Sequence, residues 1–280
     1  MTMNLKTILG CLLILFLITG GMVMAGHDAG EQPRIVSLSP SLTKMVHLLG
    51  GHDQLVGYTS FCKQQDDDNT AVVASQMNVN IEKILDINPD FVVTTKLTAA
   101  RDIEMLRKTG VSVRVMDTPA SFDDLCGQML ALGNITGRKD MARTIVNREK
   151  ERLYEVQQNI PEDDQLSMFM QLGAKPLFTA IPGTFMDDYI QLAGGVNTAR
   201  DLRQGAINRE MVLSRDPDVI FIVMGGTAGQ YEKENWLNYD GLQAAASRKV
   251  FVLDEDKAAS PTPVTFVDIV EDMITHAYHH

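Results

Sequence analysis

The sequence is short of the side chains on which catalysis and metal binding are usually built. Among 280 residues there are six histidines and three cysteines. The histidines stand at positions 27, 47, 52, 276, 279 and 280, so none falls in the strand-end loops of the second half. There is no G-x-S-x-G turn, no H-E-x-x-H helix and no phosphate loop; GGTAGQ at Gly225–Gln230 lacks the lysine such a loop needs. These gaps argue against an enzyme. A direct metal-ion binder would need converging imidazoles and carboxylates, for which His27, His47 and His52 are the candidates along the chain. Basic residues are the minority, 25 Lys and Arg against 36 Asp and Glu, for a net charge of -11. That excludes nucleic acid or an anionic membrane as the main partner.

Long apolar runs are missing too, with one exception. Ile8–Ile18 is almost wholly apolar, preceded by Lys6 and followed by Gly20-Gly21 and Val23-Met24-Ala25. This reads as a secretory signal peptide over 1–25, cleaved after Ala25. The run is shorter than the ~20 residues a membrane span needs. Its apolar core follows Cys11 rather than preceding it, against a lipoprotein signal. After cleavage Cys62 and Cys126 remain; a disulfide between them in an oxidising compartment stays open.

What the chain does have is a repeat. NIEKILDINPDFVVTT (80–95) aligns without a gap on NREMVLSRDPDVIFIV (208–223). In each copy Asn is an N-cap, Glu follows in the first turn, and Pro-Asp ends the helix before a buried parallel strand. Flanking segments repeat as well, with helix then strand after each copy and strand, turn and helix before it. Strands alternating with helices in two such sets predict two α/β lobes with mainly parallel sheets. Between them, 137–160 has no internal Gly or Pro after Gly137 and is rich in helix formers. It predicts one long rigid helix linking lobes at 34–136 and 161–280, and hence a small hinge motion. The THAYHH tail reads as short and frayed. Trp236, the sole tryptophan, reads as core rather than as a ligand wall.

The leader, two Rossmann-like lobes, single linking helix and duplicated N-x-E…P-D unit resemble the substrate-binding proteins of ABC importers for ferric siderophores, haem and cobalamin. RIVSLSPS with the following Thr43, NPDFVV, and Ala259-Ser260-Pro261 carry the resemblance, which covers nearly all the mature chain. It implies a periplasmic monomer that hands its ligand to a permease dimer with a cytoplasmic ATPase. It also implies that Glu82 and Glu210 dock into arginine pockets of that permease, a geometry that charge-assisted contacts would read. A sensing protein that kept the fold and lost the permease is the remaining alternative, and retention of both glutamates argues against it.

In open α/β sheets ligands bind beyond the carboxyl ends of the strands. The ligand-binding candidates are therefore Ser39, Pro40 and Ser41 (the last a possible N-cap); Tyr58 and Phe61; Thr95 and Lys96; Phe178 and Thr179; Gly225 and Gly226; and Asp256, Lys257 and Ser260. No protein ligands to metal are expected, because iron in a chelate needs none. An anionic ferric siderophore ranks first, on Lys96, Arg101, Lys175 and Lys257. A corrinoid ranks second, since Gln76, Thr95 and Gly205 stand where the family's cobalamin binders hold aromatics. Haem ranks third, with Tyr58 as the best axial candidate.

Overall fold

Short apolar runs bounded by Gly, Pro and Asp become the strands of two sheets. The computed structural model describes residues 32–62, 70–75, 78–162 and 165–279. The signal segment, His27 and Gln76 lie outside them. The first sheet contains β1 (Ile35–Ser37), β2 (Leu55–Thr59), β3 (Ala71–Ala74), β4 (Phe91–Thr95) and β5 (Ser112–Met116), in the order β3-β2-β1-β4-β5. All its pairings are parallel. The second contains β6 (Ser167–Ala174), β7 (Leu177–Thr179), β8 (Val196–Asn197), β9 (Val219–Ile222) and β10 (Val250–Val252). Its main path runs β10-β9-β6-β7, with β8 beside β6, and only β7 is antiparallel.

Helices connect the strands in chain order: α1 (Pro40–Leu48), α2 (Ile81–Ile87), α3 (Ala100–Lys108), α4 (Phe122–Ile135), α5 (Lys139–Gln157), α6 (Phe185–Leu192), α7 (Arg209–Arg215), α8 (Gly226–Leu237), α9 (Gln243–Ala246), α10 (Glu255–Ala259) and α11 (Pro263–Tyr278). The expected linking helix is α5, 19 residues and about 28 Å long. Of the tail expected to fray, residues 275–278 form the last turn of α11, and His280 lies outside the described residues. Ala277 is fully buried, and its carbonyl accepts from Lys249 Nζ at 2.7 Å.

The repeat is structural down to its caps. Asn80 and Asn208 each accept an N3 amide, from Lys83 at 2.9 Å and Met211 at 2.8 Å. Both helices end on a left-handed residue, Asn88 at φ 52° and Asp216 at φ 45°. The aspartate of each Pro-Asp then returns to the neighbouring strand. Asp90 Oδ2 accepts the Arg34 amide at 2.7 Å, and Asp218 Oδ2 accepts the Ser167 amide at 2.8 Å. Each Pro-Asp thus fixes the start of the strand beside its own.

Successive strand residues face opposite sides, and both sides are buried. Val36 and Val92 pack outward under α2 and α3, while Ile35 and Val93 turn inward. In the second sheet Phe169, Ile220 and Ile222 pack around Trp236, while Met168, Met170 and Phe221 turn inward. The inward residues of both sheets belong to one apolar cluster that also takes in α4, α5 and α11. Accordingly, Pro33–His280 forms a single unit.

Candidate functional site

A cleft of about 1240 Å³ opens beyond the carboxyl ends of strands from both sheets. From the first come Leu38, Ser39 and Pro40 after β1, Phe61 after β2, Ser75 after β3, and Thr95 with Leu97–Ala99 at β4. From the second come Met224–Gly226 after β9, and Leu253–Asp256 with Ser260 after β10. The position matches the rule for open α/β sheets.

Its walls are held by short-range bonds. Thr43 Oγ1 bonds Ser37 Oγ at 2.9 Å and the Ser39 carbonyl at 3.0 Å, which fixes the turn into α1. Thr94 and Thr98 hydroxyls meet at 2.6 Å and fold the loop after β4. Lys44 reaches across from α1. Its Nζ lies 2.7 Å from the Asp256 carbonyl oxygen and 3.0 Å from Asp256 Oδ2, tying α10 to the first sheet's side. Gly225 leaves room for Glu255: a Cβ there would collide with Glu255 Oε2. That carboxylate therefore lies against the N-terminus of α8, whose dipole favours negative charge.

Behind Met224 lies a buried polar chain. Trp236 Nε1 donates to Gln171 Oε1 at 2.6 Å, and Gln171 Nε2 donates to Glu232 Oε2 at 2.8 Å. Arg209 pairs with Glu232 and stacks over Trp236 at 4.5 Å. Burial pushes the Glu232 carboxyl up, but the bonds from Gln171 and Arg209 outweigh it and hold the carboxyl below its usual range. Trp236 is fully buried in α8, as expected of a core residue.

The cleft collects Ser39, Pro40, Phe61, Thr95, Gly225, Gly226, Asp256 and Ser260 of the expected residues. Six others sit elsewhere. Ser41 lies inside α1 rather than at its cap, its Oγ turned to Ser39 Oγ at 3.2 Å. Tyr58 packs in the central core and faces a second cavity. Lys96 is exposed, 2.5 Å from Asp117. Phe178 and Thr179 are not in a loop after β6; they lie on antiparallel β7, with Thr179 opposite Gln171. Lys257 turns away from the cleft to Asp268 at 3.0 Å. Arg101 and Lys175, the remaining cations proposed for an anionic chelate, do not line the cleft either.

Sequence reading missed Asp102, Asp254 and Glu255. With Asp256 they make four carboxylates, and among the described residues no Lys, Arg or His lines the cleft. The run Asp254-Glu255-Asp256 directly after β10 was the available signal. Glu82 and Glu210 sit at the second position of α2 and α7, exposed, and neither forms a salt bridge among the described residues. Among these residues no group of three or more His, Cys, Asp or Glu could hold a metal ion, and both cysteines are free.

Comparison with known proteins fits this geometry. Residues 35–257 match the periplasmic binding protein family. An uncharacterized ABC transporter substrate-binding lipoprotein of Bacillus subtilis, YvrC, is 26% identical over 257 residues, covering 89% of this chain and 81% of its own. The vitamin B12-binding protein of Vibrio cholerae is 26% identical over 247 residues, covering 87% and 88%. The periplasmic haem-binding protein HutB of Vibrio cholerae shares the fold, with a TM-score of 0.77 at 18% identity, covering 89% and 100%. With strand-end loops of two mainly parallel sheets forming one cleft and a family match over most of its length, the chain belongs to the periplasmic binding protein family, as an ABC-importer substrate-binding protein of the siderophore, haem and cobalamin class and not an enzyme.

Proposed function

We propose that this protein is exported by a signal peptide cleaved near Ala25. It then captures a metal chelate without net negative charge, a corrinoid before an anionic siderophore or haem, and delivers it to a membrane permease. The observation that carries this reading is the charge of the cleft: four carboxylates, one of them (Asp256) paired with Lys44 behind it, and, among the described residues, no lining cation. A haem brings propionates, and an anionic ferric siderophore brings its own charge. Either would meet like charge in a partly desolvated site, which is unfavourable. A corrinoid is rimmed by uncharged amides whose N–H groups can donate to Asp102, Asp254 and Glu255. Bonds to ionised acceptors are the stronger kind. From the first sheet's side Leu38, Pro40, Val79 and Leu97 offer an apolar face to the ring. The similarity to a vitamin B12-binding protein supports the same ranking.

Docking would use Glu82 and Glu210, presented alike by the two copies of the repeat. A thermal-shift panel tests the ligand. Cyanocobalamin or cobinamide at 100 times its dissociation constant should add about 2.7 kcal/mol of stability. Stabilisation by haemin or an anionic ferric catecholate alone would overturn the reading.

A further inference from the structure

The cleft does more than exclude anions. Asp254, Glu255 and Asp256 follow one another directly after β10, and Asp102 enters from α3. Their compensation inside the protein is incomplete. Lys44 answers Asp256. Glu255 lies against the N-terminus of α8, worth about half a charge. Asp102 shares a neighbouring recess with Arg101. Asp254 caps α10, its Oδ1 accepting the Lys257 amide at 3.1 Å, which holds the carboxylate in place without neutralising it. The Lys257 ammonium itself is turned to Asp268. Also lining the cleft are two large apolar side chains left in solvent, Leu97 at 81% exposed and Phe61 at 49%. Surplus negative charge beside uncovered apolar surface fits a ligand that is an apolar macrocycle and a cation at once.

We infer, resting on the corrinoid reading above, that the preferred cargo is a cationic corrinoid without the phosphate-bearing nucleotide arm, of the cobinamide type. Trivalent cobalt in a corrin ring with one bound cyanide is a singly charged cation. In cyanocobalamin the phosphodiester of the arm cancels that charge. In aquacyanocobinamide the arm is missing and the charge remains. The ring lies against Leu97 and Phe61, and its charge faces Asp254 and Glu255 in a cleft that, among the described residues, no cation lines.

Calorimetric titration of three corrinoids into the purified protein tests this: aquacyanocobinamide, dicyanocobinamide and cyanocobalamin. Dicyanocobinamide lacks the same arm, but its second cyanide makes it neutral, so it separates charge from size. Aquacyanocobinamide should bind at least about tenfold tighter than either neutral compound at low ionic strength. That ratio should fall toward one as salt rises from about 0.01 M to about 1 M, over which the Debye length shrinks from about 30 Å to about 3 Å. It should fall likewise in the double variant Asp254→Asn, Glu255→Gln, which keeps the helix cap and the side-chain sizes. Equal binding of the two cobinamides, a ratio indifferent to salt, or a ratio that survives in the double variant would overturn the inference. So would a visible spectrum showing that a protein group had replaced the axial water, because the gain would then come from coordination. Binding of all three alike would leave the corrinoid reading standing and remove only this inference; binding of none would remove both.

Discussion

At the scale of single residues, the most informative side chains are the two repeated aspartates. Pro89-Asp90 and Pro217-Asp218 read from sequence as helix terminators. The structure gives the aspartates a second task, because each accepts the amide that opens the neighbouring strand. Asp218 also accepts the Ser167 hydroxyl at 2.6 Å, so it anchors more than Asp90 does. Asp218→Ala should therefore cost about 1–3 kcal/mol in urea unfolding, and Asp90→Ala less. Asp188 carries a pH signature. Burial raises its carboxyl above the usual 3.8, against the lowering effect of the Phe122 amide. A carboxyl raised in the folded state favours folding when protonated, and that contribution fades as pH rises through its folded value. Asp188→Asn should thus raise the melting temperature at neutral pH, with the advantage vanishing below pH 3.8. Burial also pushes the Cys126 thiol up to about 12, so at pH 8 iodoacetamide should label Cys62 and spare Cys126.

Among the elements, α5 carries the mechanical argument. It does not bridge the two sheets as an isolated rod; it lies in the shared core, with Ile145, Val146, Leu153 and Val156 buried. Arg152 fastens it to α11 through Asp268 at 2.7 Å and Glu271 at 2.5 Å, and it also helps neutralise Glu149, which is almost fully buried. Arg152→Met would remove one of Glu149's two cationic partners and loosen α11. We expect a loss of about 1–3 kcal/mol in chemical denaturation. The elements themselves were largely legible. Caps, Pro-Asp stops and apolar runs located α2, β4, α7, β9 and α5 within a few residues, because those signals act locally. β7 was not legible. MFMQLGAKPLFTA reads as a strand and then a loop, whereas the chain turns back at Lys175-Pro176 and pairs with its own strand. Nothing in the local pattern separates these outcomes. The site was legible in the same partial way. The strand-end rule brought eight of the expected residues to the cleft, because topology alone dictates where loops gather. It failed wherever the direction of one side chain decided the matter. Tyr58 turns into the core, and Lys96 and Lys257 turn to Asp117 and Asp268. Those directions depend on partners distant in sequence.

For the whole molecule, a single apolar cluster joining both sheets predicts little domain motion on binding, because separating the lobes would expose it. Small-angle scattering with and without ligand should show nearly unchanged dimensions. On the proposed reading, release of the ligand is driven from outside, by a permease that docks on the exposed Glu82 and Glu210. Reversing Glu82 and Glu210 together to Arg should leave chelate affinity unchanged and abolish stimulation of the cognate permease in reconstituted vesicles. Transport that survives would remove these residues from docking. The central claim concerns the charge of the cleft, and calorimetric titration of cyanocobalamin and haemin into the same preparation tests it most directly. The account predicts saturable one-to-one binding of cyanocobalamin, with haemin at least about tenfold weaker, a gap of 1.4 kcal/mol. Haemin binding as tightly or more tightly would contradict it, because a cleft lined by carboxylates and, among the described residues, by no Lys, Arg or His disfavours the anionic ligand.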